Sequence, residues 1–483
     1  VIRVEDTYYM VSTTMHFMPG CEILQSFDLV HWEHVTYVYE TLDHTDAQQL
    51  KSGQNIYGQG MWAASLRYHE GRFYICFVAN DTRKTYLYTS EKIDGPWKKQ
   101  LIEGFYHDGS LLFDEDGRNY IVYGNDEIWI TELNEDLTAP KKDGLHRLLV
   151  SDHKNPELGY EGSHIQKING YYYIFLIHSL RDRWMRTEAC FYSDSLEGEF
   201  TGGDVLCDDR GYCGQGVAQG GIVDTPDGKW YAMLFQDSGA VGRIPILLPV
   251  TWKDHFPFFG QNGHVPEEIE VHSTRPGYIY QPLVGSDDFC NGLLPRWQFN
   301  HDPDPRYYHL DALQGTYTIT TREVCTELTQ AVNTLTQRMS YPSCAAEVTV
   351  DASALKEGDV AGLCALQSCY AAVGITKHHG KYEVLMLDKK EDGILDMTEG
   401  TVVESHQMDF RLEADFCNMK DEARCYYRVN KGDWLPIGTV HKLYFKLDHF
   451  TGCRFGLFCY AAEETGGSAC FRDFKYYDVD EIS

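Results

Sequence analysis

Thr225-Pro226-Asp227-Gly228-Lys229-Trp230-Tyr231 is a tight turn followed at once by an aromatic strand, and Asp-Gly between two apolar runs is a strong short-range signal of a β-hairpin. The arrangement recurs as Asp6-Thr7-Tyr8-Tyr9, Gly71-Arg72-Phe73-Tyr74, Gly117-Arg118-Asn119-Tyr120 and Gly170-Tyr171-Tyr172-Tyr173. The closing tyrosines lie 65, 46, 53 and 58 residues apart. An outer segment recurs as well: Ser26-Phe27-Asp28-Leu29-Val30-His31-Trp32 resembles Ser90 to Trp97 and Ser193 to Phe200. Units of about 50 residues, each holding roughly four short strands, are the blades of a β-propeller. The sequence therefore predicts an all-β chain with a five-bladed propeller over residues 1–271.

After Thr274-Arg275-Pro276-Gly277 the texture changes. A linker is expected over 272–285. From 286 to 483, alternating strands such as Gly315 to Thr320 and Arg454 to Tyr460 predict an antiparallel, concanavalin-like β-sandwich.

Bulk properties narrow the partners. With 42 Lys+Arg against 72 Asp+Glu, the formal net charge is −30, which argues against nucleic acid or an anionic membrane surface as a partner. No apolar run has the length of a membrane span. Fifteen cysteines with no CxxC pair or zinc-type Cys/His cluster read as reduced thiols in a cytoplasmic protein. Aromatics at 13% and 43 glycines suit both all-β folds and the stacking of sugar rings. Oligomerisation is compatible with all of this.

The repeat also locates the chemistry. In a propeller the innermost strand of each blade lines the central channel, so its first residue faces a shared pocket. Twelve residues before Tyr74, Tyr120, Tyr173 and Tyr231 stand Trp62, Asp108, Glu161 and Gln219. A stacking ring and two carboxyls converging on one axis are equipment for glycoside hydrolysis; taken singly, the carboxylates would read as caps on turns or strand starts. The loop Thr13-Thr14-Met15-His16-Phe17-Met18-Pro19-Gly20 is an apolar rim candidate, with His16 and Phe17 placed to touch sugar. Counting back from Tyr9 in the same register runs upstream of Val1. The opening of blade one, and with it the general base, is accordingly expected before the first residue. Asp6 and Glu5 sit at the hairpin turn and are poor substitutes.

Met61-Trp62-Ala63-Ala64-Ser65-Leu66, His107-Asp108-Gly109-Ser110-Leu111 and Tyr160-Glu161-Gly162-Ser163-His164 resemble the blade-opening motifs of glycoside hydrolase family 43, which comprises β-xylosidases, α-L-arabinofuranosidases and arabinanases. The likeness extends to the rear sandwich. It implies an exo-acting enzyme that inverts anomeric configuration and releases terminal pentose from arabinoxylan or xylo-oligosaccharides. On this resemblance Glu161 is the general acid, Asp108 orients it and raises its pKa, and Arg243 holds the base or the sugar. The Thr-Thr-Met-His loop looks more like the arabinofuranosidase side of the family, with β-xylosidase or both activities as the alternative.

Where many members have a channel histidine that helps hold hydrated Ca²⁺, this chain has Gln219. No cofactor is required and no metal ligand is assigned, and a structural Ca²⁺ in the channel is left as an option. Three rivals are less well supported. A retaining relative of the invertase type would carry Arg-Asp-Pro, where this chain has Arg181-Asp182-Arg183-Trp184. A non-catalytic sugar-binding propeller would not need Asp108 and Glu161 together. A WD-type scaffold would show a recurring Gly-His…Trp-Asp signature.

Overall fold

The computed structural model describes residues 1–478. Five separate four-stranded antiparallel sheets follow one another along the chain, each in sequential strand order. Blade two is typical: Met61–His69, Arg72–Ala79, Lys84–Ser90 and Lys98–Ile102. The Gly-aromatic repeats start the second strand of each blade, where they bury rings such as Phe73, Tyr120, Tyr172 and Tyr231. Blade one has a short inner strand, Ile2–Val4, against Thr7–Ser12. The last blade strand is Phe256–Phe259.

No strand is shared between blades five and one, so side chains close the ring. Arg3 pairs with Asp224 across the inner strands, over a small core of Tyr8, Leu29, Val223, Tyr231 and Met233. The segment expected to be a linker is strapped onto blade one. Arg275 donates to both oxygens of Asp6, at 2.7 and 3.0 Å, Thr274 Oγ1 donates to the Asp6 carbonyl at 2.6 Å, and the Gln281 amide donates to Glu33 at 2.9 Å.

Behind the propeller, a seven-stranded and a nine-stranded sheet form the sandwich around one large apolar core that includes Trp297, Phe410, Phe455 and Phe471. One strand of the nine-stranded sheet comes from the propeller: Phe17–Met18 pairs antiparallel with Gln298–Asn300. His16 and Phe17 are therefore not on an open rim. Both are fully buried, and the Arg454 guanidinium lies 3.7 Å from the centre of the Phe17 ring. The two domains approach backbone to backbone: a Cβ on Gly242 would stand 2.7 Å from the Gly452 nitrogen, so both positions require glycine.

This seam contains three buried imidazoles. The His16 ring lies 4.8 Å from that of His301 and 5.3 Å from that of His449, with Tyr57 packed against all three. Neither nitrogen of His16 or of His449 has a hydrogen-bond partner. The Ile56 amide donates to His301 Nε2 at 3.0 Å, which requires that nitrogen to be unprotonated. Burial pushes His301 down to about 3 from 6.5, with His449 adding to the effect. Burial likewise depresses His16, helped by His301, His449 and Arg454. A histidine with a lowered folded-state pKa leaves stability intact above 6.5 and withdraws it as pH falls toward the folded value. His301 alone is expected to remove about 2 kcal/mol between pH 7 and pH 5, at about 1.36 kcal/mol per pKa unit. Urea unfolding midpoints across that interval check this, and His301→Gln should flatten the dependence.

Candidate active site

The inner strands of blades two, four and five carry a register shift at the same place, between Met61 and Ala64, Glu161 and His164, and Ala218 and Gly221. A β-bulge re-aims the side chains next to it, and Trp62, Glu161 and Gln219 sit at or beside these three. Asp108, two residues ahead of its strand, takes a left-handed φ of +48°, and Gln219 one of +61°. Such conformations are uncommon outside glycine and cluster at functional sites. Gly162 at φ +66° completes the pattern, because a Cβ there would meet the Gln219 side chain at 2.7 Å.

Asp108 and Glu161 are brought together. Their ligand-capable oxygens and His107 Nε2 all lie within 4.8 Å of one another. His107 Nε2 is 3.5 Å from Glu161 and 3.7 Å from Asp108. The Gly162 amide donates to Asp108 at 3.1 Å, and Asn125 Nδ2 donates to Glu161 at 2.7 Å. Burial pushes Asp108 up to about 6; the Glu161 charge adds to this, while His107, the Gly162 amide and Arg243 oppose it. Two carboxyls this close leave no room for the water of an inverting pair, which needs about 6.5–9.5 Å. They suit an acid and the group that tunes it.

Arg243 lies close enough to bias Asp108 and to feel Glu161. Its Nε donates to Asp237 at 3.2 Å, and Asp237 also holds Arg186. The Arg243 guanidinium carbon lies 4.4 Å from the ring centre of Phe235 and 4.3 Å from that of Phe450, a sandwich-domain residue. Phe450 in turn meets Trp62 edge to face at 5.4 Å. A cavity of about 230 Å³ is lined by Gln219, Arg243, His164, Phe235, Met10, Ser12, Ala63, Phe450 and Thr451, among others. Trp62, Asp108, Glu161, Gln219 and Arg243 thus gather at the axis, whereas His16 and Phe17 belong to the seam.

No carboxylate is among the cavity-lining residues. For a channel calcium the cavity offers the Gln219 amide and the His164 imidazole, whose pKa burial lowers to about 3. A hard cation takes six to eight oxygens, usually with carboxylates among them, so these donors do not fit directly bound calcium. The one cluster of three candidate metal ligands among the described residues is His107, Asp108 and Glu161.

The sequence reading missed Asn125, His107, Asp237 and Phe450. His107 precedes Asp108 directly and Asn125 ends an apolar strand, so both had a local signal. Asp237 and Phe450 reach the axis only through tertiary packing.

A propeller with carboxyls, a tryptophan and an arginine gathered at one end of its axis has the form of a glycoside hydrolase, and the comparisons agree. Residues 1–257 match Glycosyl hydrolases family 43, and 286–477 match the Beta xylosidase C-terminal Concanavalin A-like domain. The chain belongs to glycosyl hydrolase family 43: it is an enzyme, and its substrate is a carbohydrate. It is 26% identical to a β-xylosidase of Formosa agariphila, over 99% of this chain and 86% of that protein. A bifunctional GH43-CE protein of Bacteroides eggerthii superposes with TM-score 0.91 at 42% identity. This chain is covered to 99% there but spans only 62% of that protein. A GH43 enzyme engineered to display both endo-xylanase and exo-arabinofuranosidase activity superposes with TM-score 0.85 at 27% identity, covering 99% of this chain and 97% of its own.

Asp237→Asn would leave two buried guanidiniums short of their anion. Breaking such a buried pair costs about 3–5 kcal/mol, and chemical denaturation is expected to show a loss of that order.

Proposed function

We propose that the chain is an exo-acting, inverting glycosidase that releases a terminal pentose from arabinoxylan or xylo-oligosaccharides, with α-L-arabinofuranosides as the preferred substrates. The observation that carries this reading is the close Asp108–Glu161 pair beneath Asn125 and His107, opening on a cavity of about 230 Å³.

Glu161 is the general acid. It delivers its proton to the leaving oxygen, and Asn125 fixes the carboxyl by donating to one oxygen. Asp108, buried and raised toward about 6, repels a second negative charge and favours a shared proton on the pair, so the two titrate together. Arg243, backed by Asp237, offers guanidinium donors to sugar hydroxyls, and Trp62 supplies a ring face. The base of an inverting reaction stands across the sugar from Glu161, and the lining residues described contain no carboxylate for that role. A β-xylosidase is the second reading, favoured by the naming of the Formosa relative.

Glu161→Gln is expected to lower turnover on natural pentosides by about 10²–10⁴-fold, the usual contribution of general acid–base catalysis. Dinitrophenyl pentosides, whose leaving group needs little protonation, should lose far less; equal losses on both would overturn the acid assignment. Proton NMR of the first-formed sugar should show the inverted anomer. Parallel assays of nitrophenyl arabinofuranoside and xyloside decide between the two readings.

A further inference from the structure

The loop of residues 180–185 joins the second and third strands of blade four at the same end of the blade as Glu161. Glu161 pairs with Ile177, and two residues further on Ser179 pairs with Arg186. At its tip, Trp184 is 45% exposed. A lone exposed apolar residue ordinarily needs no account, but this one is mounted from every side. The loop is closed by Leu180 N donating to Met185 O at 3.0 Å and Met185 N donating to Ser179 Oγ at 2.8 Å. Its leading edge is latched by Arg181, which donates to the carbonyls of Asp152, His153 and Lys154 at 2.8, 3.2 and 3.1 Å and to the Asp152 carboxylate at 2.9 Å.

Behind the indole, the Arg186 guanidinium lies 5.3 Å from the ring centre. Arg186 is buried and is held by Asp237, the carboxylate that also holds Arg243 in the cavity. The exposed ring and the sugar-facing arginine therefore hang from one buried anion. The loop carries none of the hydrogen bonds that join the domains among the described residues, so the sandwich leaves the indole uncovered.

We propose that Trp184 is a leaving-group subsite that stacks a β-1,4-linked pyranose of the xylan backbone. This rests on the pentosidase reading above. A general acid stands on the leaving-group side of the bond it cleaves, and Trp184 is mounted beside Glu161. The face of a pyranose is apolar and matches a flat indole, which offers large contact area at low conformational cost. Because latch and bridge hold the ring in advance, binding loses little rotamer freedom. The platform adds affinity for long substrates and none for the sugar in the cavity, so it selects oligosaccharides over small pentosides.

The test is isothermal titration calorimetry in the Glu161→Gln background, which binds without turnover, using xylose, arabinose, xylobiose and xylohexaose. Adding Trp184→Ala is expected to weaken xylohexaose binding about tenfold or more, the loss of one stacked ring at ~1–3 kcal/mol, while shifting xylose and arabinose less than twofold. Trp184→Phe should recover part of the loss. Equal weakening of every ligand, or of none, overturns the platform and leaves the pentosidase reading standing. A protein that binds neither monosaccharide nor oligosaccharide overturns that reading, and the platform with it.

Discussion

Everything at the axis depends on where each inner strand begins. A ring of independent sheets brings side chains to one point only if those strands start at a common height and turn their first residues inward. The chain meets that constraint with local irregularity at matching places: bulges near Trp62, Glu161 and Gln219, and left-handed backbone at Asp108, Gly162 and Gln219. Regular strands would alternate these side chains between the two faces of each blade. The bulge holds polar groups at the axis while apolar residues continue into the interblade cores.

Charge is handled by sharing. Asp237 serves two buried arginines, and His107 lies between two carboxylates. In both cases a buried charge sees more than one partner, which offsets the desolvation cost that a single pair recovers only with excellent geometry. The rings of Phe235 and Phe450 about Arg243 exclude water from one such group and place its positive charge against their faces. The pocket is thereby dry and polar at once, the condition under which a carboxyl such as Asp108 is driven toward its neutral form.

Much of this was legible in the sequence because it is local. A turn-plus-aromatic signal every 50 residues or so defines blades, and counting from Tyr74, Tyr120, Tyr173 and Tyr231 finds Trp62, Asp108, Glu161 and Gln219 without any knowledge of packing. Reading failed where contacts span the chain. Phe17 and His16 looked like rim residues because their loop is apolar, yet apolar side chains serve equally well as a strand in a sheet whose partners lie some 280 residues later. Phe450 carries no signal of its own, since an aromatic after a polar turn is common in any sandwich. Segment 272–285 read as a linker because it has no periodicity, while its Arg275 and Thr274 anchor it through side-chain bonds that leave no periodic trace.

The Phe17–Met18 strand has a consequence for synthesis. It is among the first pieces of the chain to be made, but its immediate sheet partner, Gln298–Asn300, comes hundreds of residues later, and Arg454, which covers Phe17, later still. Phe450, which closes the cavity wall beside Arg243, is later than 90% of the chain. A nascent chain can thus assemble all five blades while its catalytic cavity is still unwalled and its first loop unpaired. Recombination that exchanged either domain alone would have to rematch the Phe17 strand and the Gly242–Gly452 approach together, so the two domains are tied to descend as one unit.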